Sequence, residues 1–126
     1  NYDEKRAYGT AKLCNILFTK ELDRRYRSAG INTVAFHPGV VSTNFASDPE
    51  SAFHKVYHSD GKPTLAMITP DAGADQLIWI AEGAAGTDWQ LGEYYDLRKP
   101  GATHEQANDA DLAVKLWEQS ALLLGI

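Results

Sequence analysis

The sequence predicts an α/β fold, and three observations lead to this class. Residues 3 to 29 show helical periodicity, and a short apolar, β-branched run from Ile31 to Phe36 follows directly. Such a run predicts a strand buried on both faces of a parallel sheet. A second strand pattern, with a helical pattern on either side, occurs towards the end of the chain, which indicates a βα repeat. With 126 residues the chain can form one hydrophobic core, and no internal domain boundary is predicted.

The first helix is predicted over Asp3 to Ala29, because apolar residues recur at every third or fourth position. These residues are Ala7, Ala11, Cys14, Phe18 and Leu22. Acidic residues at its start suit the helix dipole, and Gly30 is a typical stop. We expect Cys14 to be a buried, structural thiol. Three arginines near the end are expected to form a solvated helix terminus rather than a phosphate site; they are Arg24, Arg25 and Arg27.

The segment after Thr43 is a long loop of roughly 25 residues with little regular periodicity, a length typical of lids and binding loops. Its apolar residues are Phe45, Phe53, Val56, Tyr57, Leu65 and Met67. Two interpretations stand side by side: a lid over a site, or a short helix over Ser51 to Ser59 that covers the core. His54 and His58 have metal-ligand spacing, but no third ligand is evident nearby, so we expect surface histidines and no metal.

The remaining elements follow from capping and turn residues. Thr69-Pro70-Asp71 begins a second helix, with Thr69 as its N-cap. Leu77, Ile78 and Ala81 are expected to pack this helix on the core. A short strand is predicted over Glu93 to Leu97, before a turn over Arg98 to Gly101. The last helix is predicted over Asp109 to Leu124 with Gly125 as its stop. Its apolar residues are Leu112, Leu116, Leu123, Leu124 and Trp117, the last of which is expected to anchor the core.

The charge balance excludes one class of partner. Twelve basic and seventeen acidic residues give a formal net charge of −5, without a basic stripe, so a nucleic-acid partner is not expected. One cysteine excludes an internal disulfide framework. No apolar stretch reaches the ~20 residues that span a bilayer, and no leader peptide is visible. The sequence therefore predicts a soluble, cytoplasmic chain, and an anchor on an upstream segment stays open.

Two motifs are typical of an active site. Tyr8 and Lys12 lie four residues apart on the first helix, so both side chains can face one cleft. A cation close to a phenol favours the phenolate, which suits a tyrosine that acts as acid and base. The segment from Pro38 to Thr43 follows the predicted strand, and ligands bind at the carboxyl ends of strands in open α/β sheets.

Together these motifs resemble the short-chain dehydrogenases/reductases, which carry YxxxK on a helix and PGxVxT after the next strand. The similarity is greatest to the retinol-dehydrogenase-like branch, and it spans nearly the whole chain. The segments that carry it are Tyr8–Asn15, His37–Thr43, Thr69–Ala74, Gly92–Tyr95 and Leu116–Glu118. The resemblance implies the C-terminal half of one Rossmann-like, doubly wound parallel-sheet domain, with two strands, three main helices and one long lid loop. The family's glycine-rich cofactor turn and active-site serine would lie upstream of Tyr8.

The resemblance also implies a role for each motif residue. Tyr8 would be the acid and base, and Lys12 would favour its phenolate and bind the nicotinamide ribose. Pro38 and Gly39 would turn the chain away from the sheet. The Val41 backbone would then reach the carboxamide of NAD or NADP, and the Thr43 hydroxyl would bond the carboxamide or the pyrophosphate. The substrate loop would contribute Phe45, Phe53 and Tyr57.

The implied function is that of an oxidoreductase that transfers a hydride between NAD(P)(H) and a small carbonyl or alcohol substrate. The alternative is a non-catalytic relative that acts as an interaction module, because a fold does not settle a function. We expect the chain by itself to be catalytically silent. We also expect it to self-associate, because the first strand would expose an unpaired edge.

Overall fold

The computed structural model describes residues 2–59, 62–63 and 65–126. Four helices and five strands lie in these ranges. They are α1 (Glu4–Tyr26), β1 (Ala35–His37), α2 (His54–Tyr57), β2 (His58–Ser59), β3 (Lys62–Pro63), α3 (Pro70–Glu82), β4 (Tyr94–Asp96), β5 (Lys99–Pro100) and α4 (Ala110–Leu124). The architecture is α/β, as predicted, with a small open sheet and three main helices.

Helix α1 begins and ends where the sequence predicts. The Asp3 side chain caps it by accepting a hydrogen bond from the backbone N–H of Arg6 at 2.9 Å. At the other end the helix tightens into a 3₁₀ turn over Arg27–Ala29, and Gly30 ends that turn in the left-handed conformation with φ 82°. The helix is long enough to carry residues of two different environments, a cleft at its start and a packed core near its end.

The three-stranded sheet has the order β1-β4-β5. Strand β1 pairs with β4 in parallel, with Phe36 opposite Tyr95. Strand β5 pairs with β4 antiparallel, where the sequence predicts only a turn. A two-residue hairpin turn at Leu97 and Arg98 makes this pairing possible, and both residues have the positive φ that such tight turns require.

Strand β1 is shorter and more exposed than predicted. Regular pairing covers Ala35–His37. A hydrogen bond from the Gly92 N–H to the Thr33 carbonyl at 2.8 Å already joins the two segments before the strands begin. Ile31 is 44% exposed, so the expectation of a strand buried on both faces is wrong. The physical reason is position, because β1 lies at an edge of the described sheet and has a paired neighbour on one side only.

The best-packed part of the molecule lies between α1, α4 and the 3₁₀ turn over Glu105–Asn108. Ala107 and Ala113 are buried there against α1, and Trp117 stacks on Phe18 with ring centres 5.4 Å apart. Trp117 is half-buried and so anchors a helix contact rather than filling a closed interior. Cys14, expected to be buried, is also only half-buried.

Two apolar faces that the sequence assigns to the core are exposed. On α3 the buried residues are Gly73 and Gln76, whereas Leu77, Ile78 and Ala81 are exposed, contrary to prediction. On α4 the last turn is exposed as well, including Leu123 and Leu124. In both helices one face packs on the chain, and nothing in the described ranges covers the other face. Among the described helices none is both long and apolar enough to cross a membrane.

Candidate active site

One cleft collects most of the residues singled out from the sequence. It has a volume of about 420 Å³ and lies between the first half of α1, strand β1 and the loop that follows β1. The predicted site residues that line it are Tyr8, Lys12, Pro38, Gly39, Val41, Thr43, Phe45 and Tyr57. Phe53 is outside this lining but contacts two of its rings. The catalytic and cofactor-binding roles of these residues remain predictions.

Tyr8 and Lys12 occupy the same face of α1, one helical turn apart. The Lys12 ammonium lies 5.3 Å from the centre of the Tyr8 ring. Tyr8 is 38% exposed, which leaves its phenol accessible from the cleft. A phenol and an ammonium held at this spacing can share a bound group, with the phenol exchanging a proton and the ammonium donating hydrogen bonds.

The turn after β1 depends on a glycine. Gly39 has φ 93°, a conformation that strains other residues, and a Cβ there would lie 3.1 Å from the Ile68 side chain. Gly73 has a similar role on α3, because a Cβ there would lie 2.6 Å from the Val41 side chain. These two close approaches fix the path of the chain from Pro38 to Thr43 along one wall of the cleft.

Val41 lies along this wall, and none of the described residues bonds to its own backbone N–H or C=O. It forms an isolated parallel bridge with Ile68, in which the bonds run from Ile68 N–H to the Val40 carbonyl and from Ser42 N–H to the Ile68 carbonyl, both at 2.9 Å. The bridge therefore uses the groups of Val40 and Ser42 rather than those of Val41 itself. Because backbone groups alternate along an extended strand, the N–H and C=O of Val41 point away from Ile68. Thr43 follows, and its hydroxyl accepts the backbone N–H of Phe45 at 3.3 Å.

The loop after Thr43, predicted to contact substrate, places aromatic rings beside Tyr8. The ring centre of Phe53 lies 4.9 Å and that of Phe45 5.5 Å from the Tyr8 ring, and Tyr57 lies 6.0 Å from Phe45. These four rings form an aromatic cluster that covers the phenol side of the cleft. The short helix α2 (His54–Tyr57) is shorter than the predicted span. Both interpretations of the loop are therefore met in part, since it contains a short helix and also lines the site.

The two histidines of this loop are half-buried, so the expectation of surface histidines is wrong. The His54 and His58 rings stack with centres 4.7 Å apart, and His54 Nδ1 lies 2.8 Å from the Ala46 carbonyl. Packing of α2 against the 3₁₀ turn at Asn44–Ala46 explains this burial. Within the part of the chain that the structure describes, no three His, Cys, Asp or Glu side chains come together as metal ligands.

The cleft also contains residues to which the sequence analysis assigns no role. Asn15, Ile16 and Tyr94 belong to its lining. Asn15 follows Lys12 by three positions, so helical spacing could have identified it as a neighbour on the same face. Alternation along β4 could have separated Tyr94 from Tyr95, because Tyr95 is buried at 4% exposure and strand neighbours face opposite sides.

A second tyrosine, Tyr94, also lines the cleft. Burial, together with the nearby charge of Asp96, raises the pKa of the Tyr94 phenol above its ordinary value. The ring lies so close to Gly101 that a Cβ there would be 2.5 Å from it. A raised pKa favours the neutral phenol, so Tyr94 is suited to hydrogen bonding in the cleft.

Comparison with known proteins gives relatives along almost the entire chain. Human retinol dehydrogenase 13 is 34% identical over 99% of this chain and 38% of its own length. A protein of Streptomyces sp. (strain C5) named "Putative daunorubicin C-13 ketoreductase DnrU" is 34% identical over 98% of this chain and 40% of its own length. Human retinol dehydrogenase 14 is 30% identical over the whole of this chain and 37% of its own length. No protein-family model and no solved structure matches the chain.

The chain belongs to the short-chain dehydrogenase/reductase family. It spans about two fifths of the length of these curated relatives and corresponds to their C-terminal part. One position departs from the family motif, because Ala11 stands where a serine commonly precedes the lysine. Ala11 is exposed and is not among the residues that line the cleft, so the Tyr8 and Lys12 arrangement does not depend on it.

Proposed function

We propose that this chain is the C-terminal part of an oxidoreductase that transfers a hydride between NAD or NADP and a small carbonyl or alcohol. The observation that carries the proposal is the shared cleft, in which Tyr8 and Lys12 face the turn from Pro38 to Thr43. The names of the relatives, retinol dehydrogenases and a ketoreductase, support redox chemistry of this class.

The residues present fit a nicotinamide cofactor. An amide group of the cofactor needs a donor and an acceptor, and the N–H and C=O of Val41, which no described residue engages, are such a pair. The Lys12 ammonium suits ribose hydroxyls, and the Thr43 hydroxyl suits a carboxamide or a phosphate. When bound, the cofactor supplies or accepts the hydride.

The proton chemistry belongs to this chain. Tyr8 donates its phenolic proton to the substrate oxygen in the direction of reduction and removes the hydroxyl proton in the direction of oxidation. Lys12, whose ammonium lies 5.3 Å from the centre of the Tyr8 ring, places a positive charge and hydrogen-bond donors beside the phenol. The aromatic cluster offers apolar contact to the body of the substrate.

The decisive variant is Tyr8→Phe in the full-length protein, because it removes the hydroxyl and keeps the ring contacts with Phe45 and Phe53. We expect turnover to fall by about 10²-fold or more, with cofactor affinity little changed. Tyr26→Phe is the matched control, since Tyr26 lies at the far end of α1 against Trp117. Near-normal turnover of Tyr8→Phe, measured by NAD(P)H absorbance with an aldehyde or ketone substrate, would show that Tyr8 is not the acid and base.

The alternative is a family member that has kept the fold without turnover. Cofactor titration separates the two functions, because an interaction module need not bind NAD(H) or NADP(H). The relatives are longer than this chain, so we further propose that the site for the adenine half of the cofactor lies in their additional length. The chain alone should then show neither turnover nor tight cofactor binding.

We also retain the prediction of self-association. The exposed apolar residues of α3 and α4 and the position of β1 at the sheet edge favour it. Light scattering during gel filtration tests this prediction, and a monomer at tens of micromolar would contradict it.

A further inference from the structure

The start of α1 is bonded to the loop that carries the aromatic cluster. Glu4 accepts two hydrogen bonds from that loop through different carboxylate oxygens. One comes from the Ser51 hydroxyl at 2.5 Å and the other from the Ala52 backbone N–H at 2.7 Å. Hydrogen bonds to an ionised carboxylate are among the stronger ones in proteins. The two segments are joined across 47 and 48 positions of sequence, so this is a tertiary contact and not a local turn.

The contact continues directly into the aromatic cluster. The Ser51 hydroxyl, which donates to Glu4, also accepts the backbone N–H of Phe53 at 3.1 Å. The Phe53 ring then lies 4.9 Å from Tyr8. Glu4 and Tyr8 are four residues apart, so the carboxylate and the phenol stand on the same helix face one turn apart. The loop therefore contacts the same helix twice, through hydrogen bonds to Glu4 and through the Phe53 ring against Tyr8.

We propose that Glu4 is a positioning residue that holds the substrate loop closed over Tyr8. The proposal rests on the proposed function for its effect on catalysis, whereas its effect on the loop is independent of that function. The carboxylate fixes Ser51 and Ala52, which set the position of Phe53 over the phenol. Loss of the carboxylate frees the loop, so the wall that faces the substrate becomes mobile and substrate binds more weakly.

The test compares Glu4→Ala with Glu50→Ala in the full-length protein. Glu50 lies next to Ser51 in the same loop and is exposed, so this control removes the same charge without touching the contact. Ser51→Ala approaches the contact from its other side and leaves α1 intact. The first readout is the rate of tryptic cleavage after Lys55, an exposed residue of the loop. The second is the separation of KM from kcat for an aldehyde or ketone substrate.

Glu4→Ala should speed cleavage after Lys55 and raise KM, each by about tenfold, with kcat nearly unchanged, as expected for the loss of hydrogen bonds to a charged group. Glu50→Ala should match the wild type in both readouts. The double variant Glu4→Ala/Ser51→Ala should show little beyond the larger single effect, because both changes break one contact. Glu4→Gln, which keeps one acceptor oxygen, should lie between the wild type and Glu4→Ala.

If trypsin cleaves the Glu4→Ala variant after Lys55 at the same rate as the wild-type protein, the proposal is wrong. Faster cleavage with an unchanged KM overturns the role in substrate binding. If the wild-type protein shows no turnover with either cofactor, the proposed function fails, and the cleavage rates alone then decide whether Glu4 holds the loop.

Discussion

The two halves of α1 have opposite surroundings. From Glu4 to Cys14 no residue is buried, and this half faces the cleft with Tyr8 and Lys12. The second half contains all the buried residues of the helix, which are Leu17, Glu21 and Asp23. It packs on α4 and on the 3₁₀ turn over Glu105–Asn108. One continuous helix therefore supplies the accessible groups at its start and the stability of the molecule near its end.

The two halves of α1 also differ in whether their charged side chains are buried and paired. Glu21 is only 2% exposed, yet it is fully paired, because Arg24 binds it through two nitrogens at 2.7 Å and Arg25 binds it at 2.5 Å. Arg27 forms a similar pair with Asp23. Lys12, by contrast, is exposed at the cleft. A charge paired in the core is not available to a ligand, and this contrast supports our proposal that the chemistry lies in the open half.

The largest effect on stability should come from Trp117→Ala. The Trp117 ring contacts Phe18, Tyr26 and the Arg25 guanidinium, so its removal opens the α1–α4 contact. We expect the free energy of unfolding to fall by about 2 to 3 kcal/mol, somewhat less than for a fully buried tryptophan. Urea denaturation measures it, with Trp117→Phe as the control that keeps a stacked ring. A change below about 0.5 kcal/mol would mean that the second half of α1 is not the stable half.

The next effect is the acid sensitivity of the Glu21 cluster. The hydrogen bond from Arg24, supported by Arg25, lowers the pKa of Glu21 from 4.5 to about 2 against the opposing effect of burial. A lowered folded-state pKa means that the stabilisation is complete above pH 4.5 and is lost as the pH falls towards 2. We expect a loss of about 1 to 2 kcal/mol, because solvent around the exposed Arg24 screens the pair.

Denaturation curves between pH 2 and 5.5, about a unit above the ordinary pKa of 4.5, measure this dependence. Glu21→Gln should flatten the curve, since the amide does not titrate. Glu118→Gln, which changes an exposed carboxylate on α4, should leave the slope as it is. A Glu21→Gln protein with the wild-type slope would assign the acid sensitivity to other carboxylates.

The helix termini were predictable because capping is local. Thr69 caps α3 as predicted by accepting the backbone N–H of Ala72. Asp109, predicted as the first residue of the last helix, is instead its cap and accepts the backbone N–H of Leu112. Burial was less predictable, because an apolar helix face favours burial but does not show whether another element covers it. Leu77 is therefore exposed on a helix whose predicted start is right.

The candidate site shows the same division. The grouping of Tyr8 with Lys12 follows from helical spacing, and the place of Gly39 follows from the strand before it. The contact of Glu4 with Ser51 joins residues 47 positions apart, and no local pattern marks it. The burial of Glu21 is hidden for a related reason, since a glutamate near three arginines is typical of a solvated helix end.

The smallest effect on stability should come from Lys12→Met, in the open half of α1. The side chain is exposed, and methionine keeps helix propensity and apolar length, so the free energy of unfolding should change by less than about 0.5 kcal/mol. Cofactor affinity of the full-length protein should nevertheless fall by about tenfold, because one ammonium serves both the phenol and the ribose. Calorimetric titration with NAD(H) and NADP(H) measures this, and Lys5→Met is the matched control, because it removes an exposed lysine of α1 that does not line the cleft. Unchanged affinity would remove Lys12 from the cofactor site, whereas a large loss of stability would mean that the open half of α1 also carries the fold.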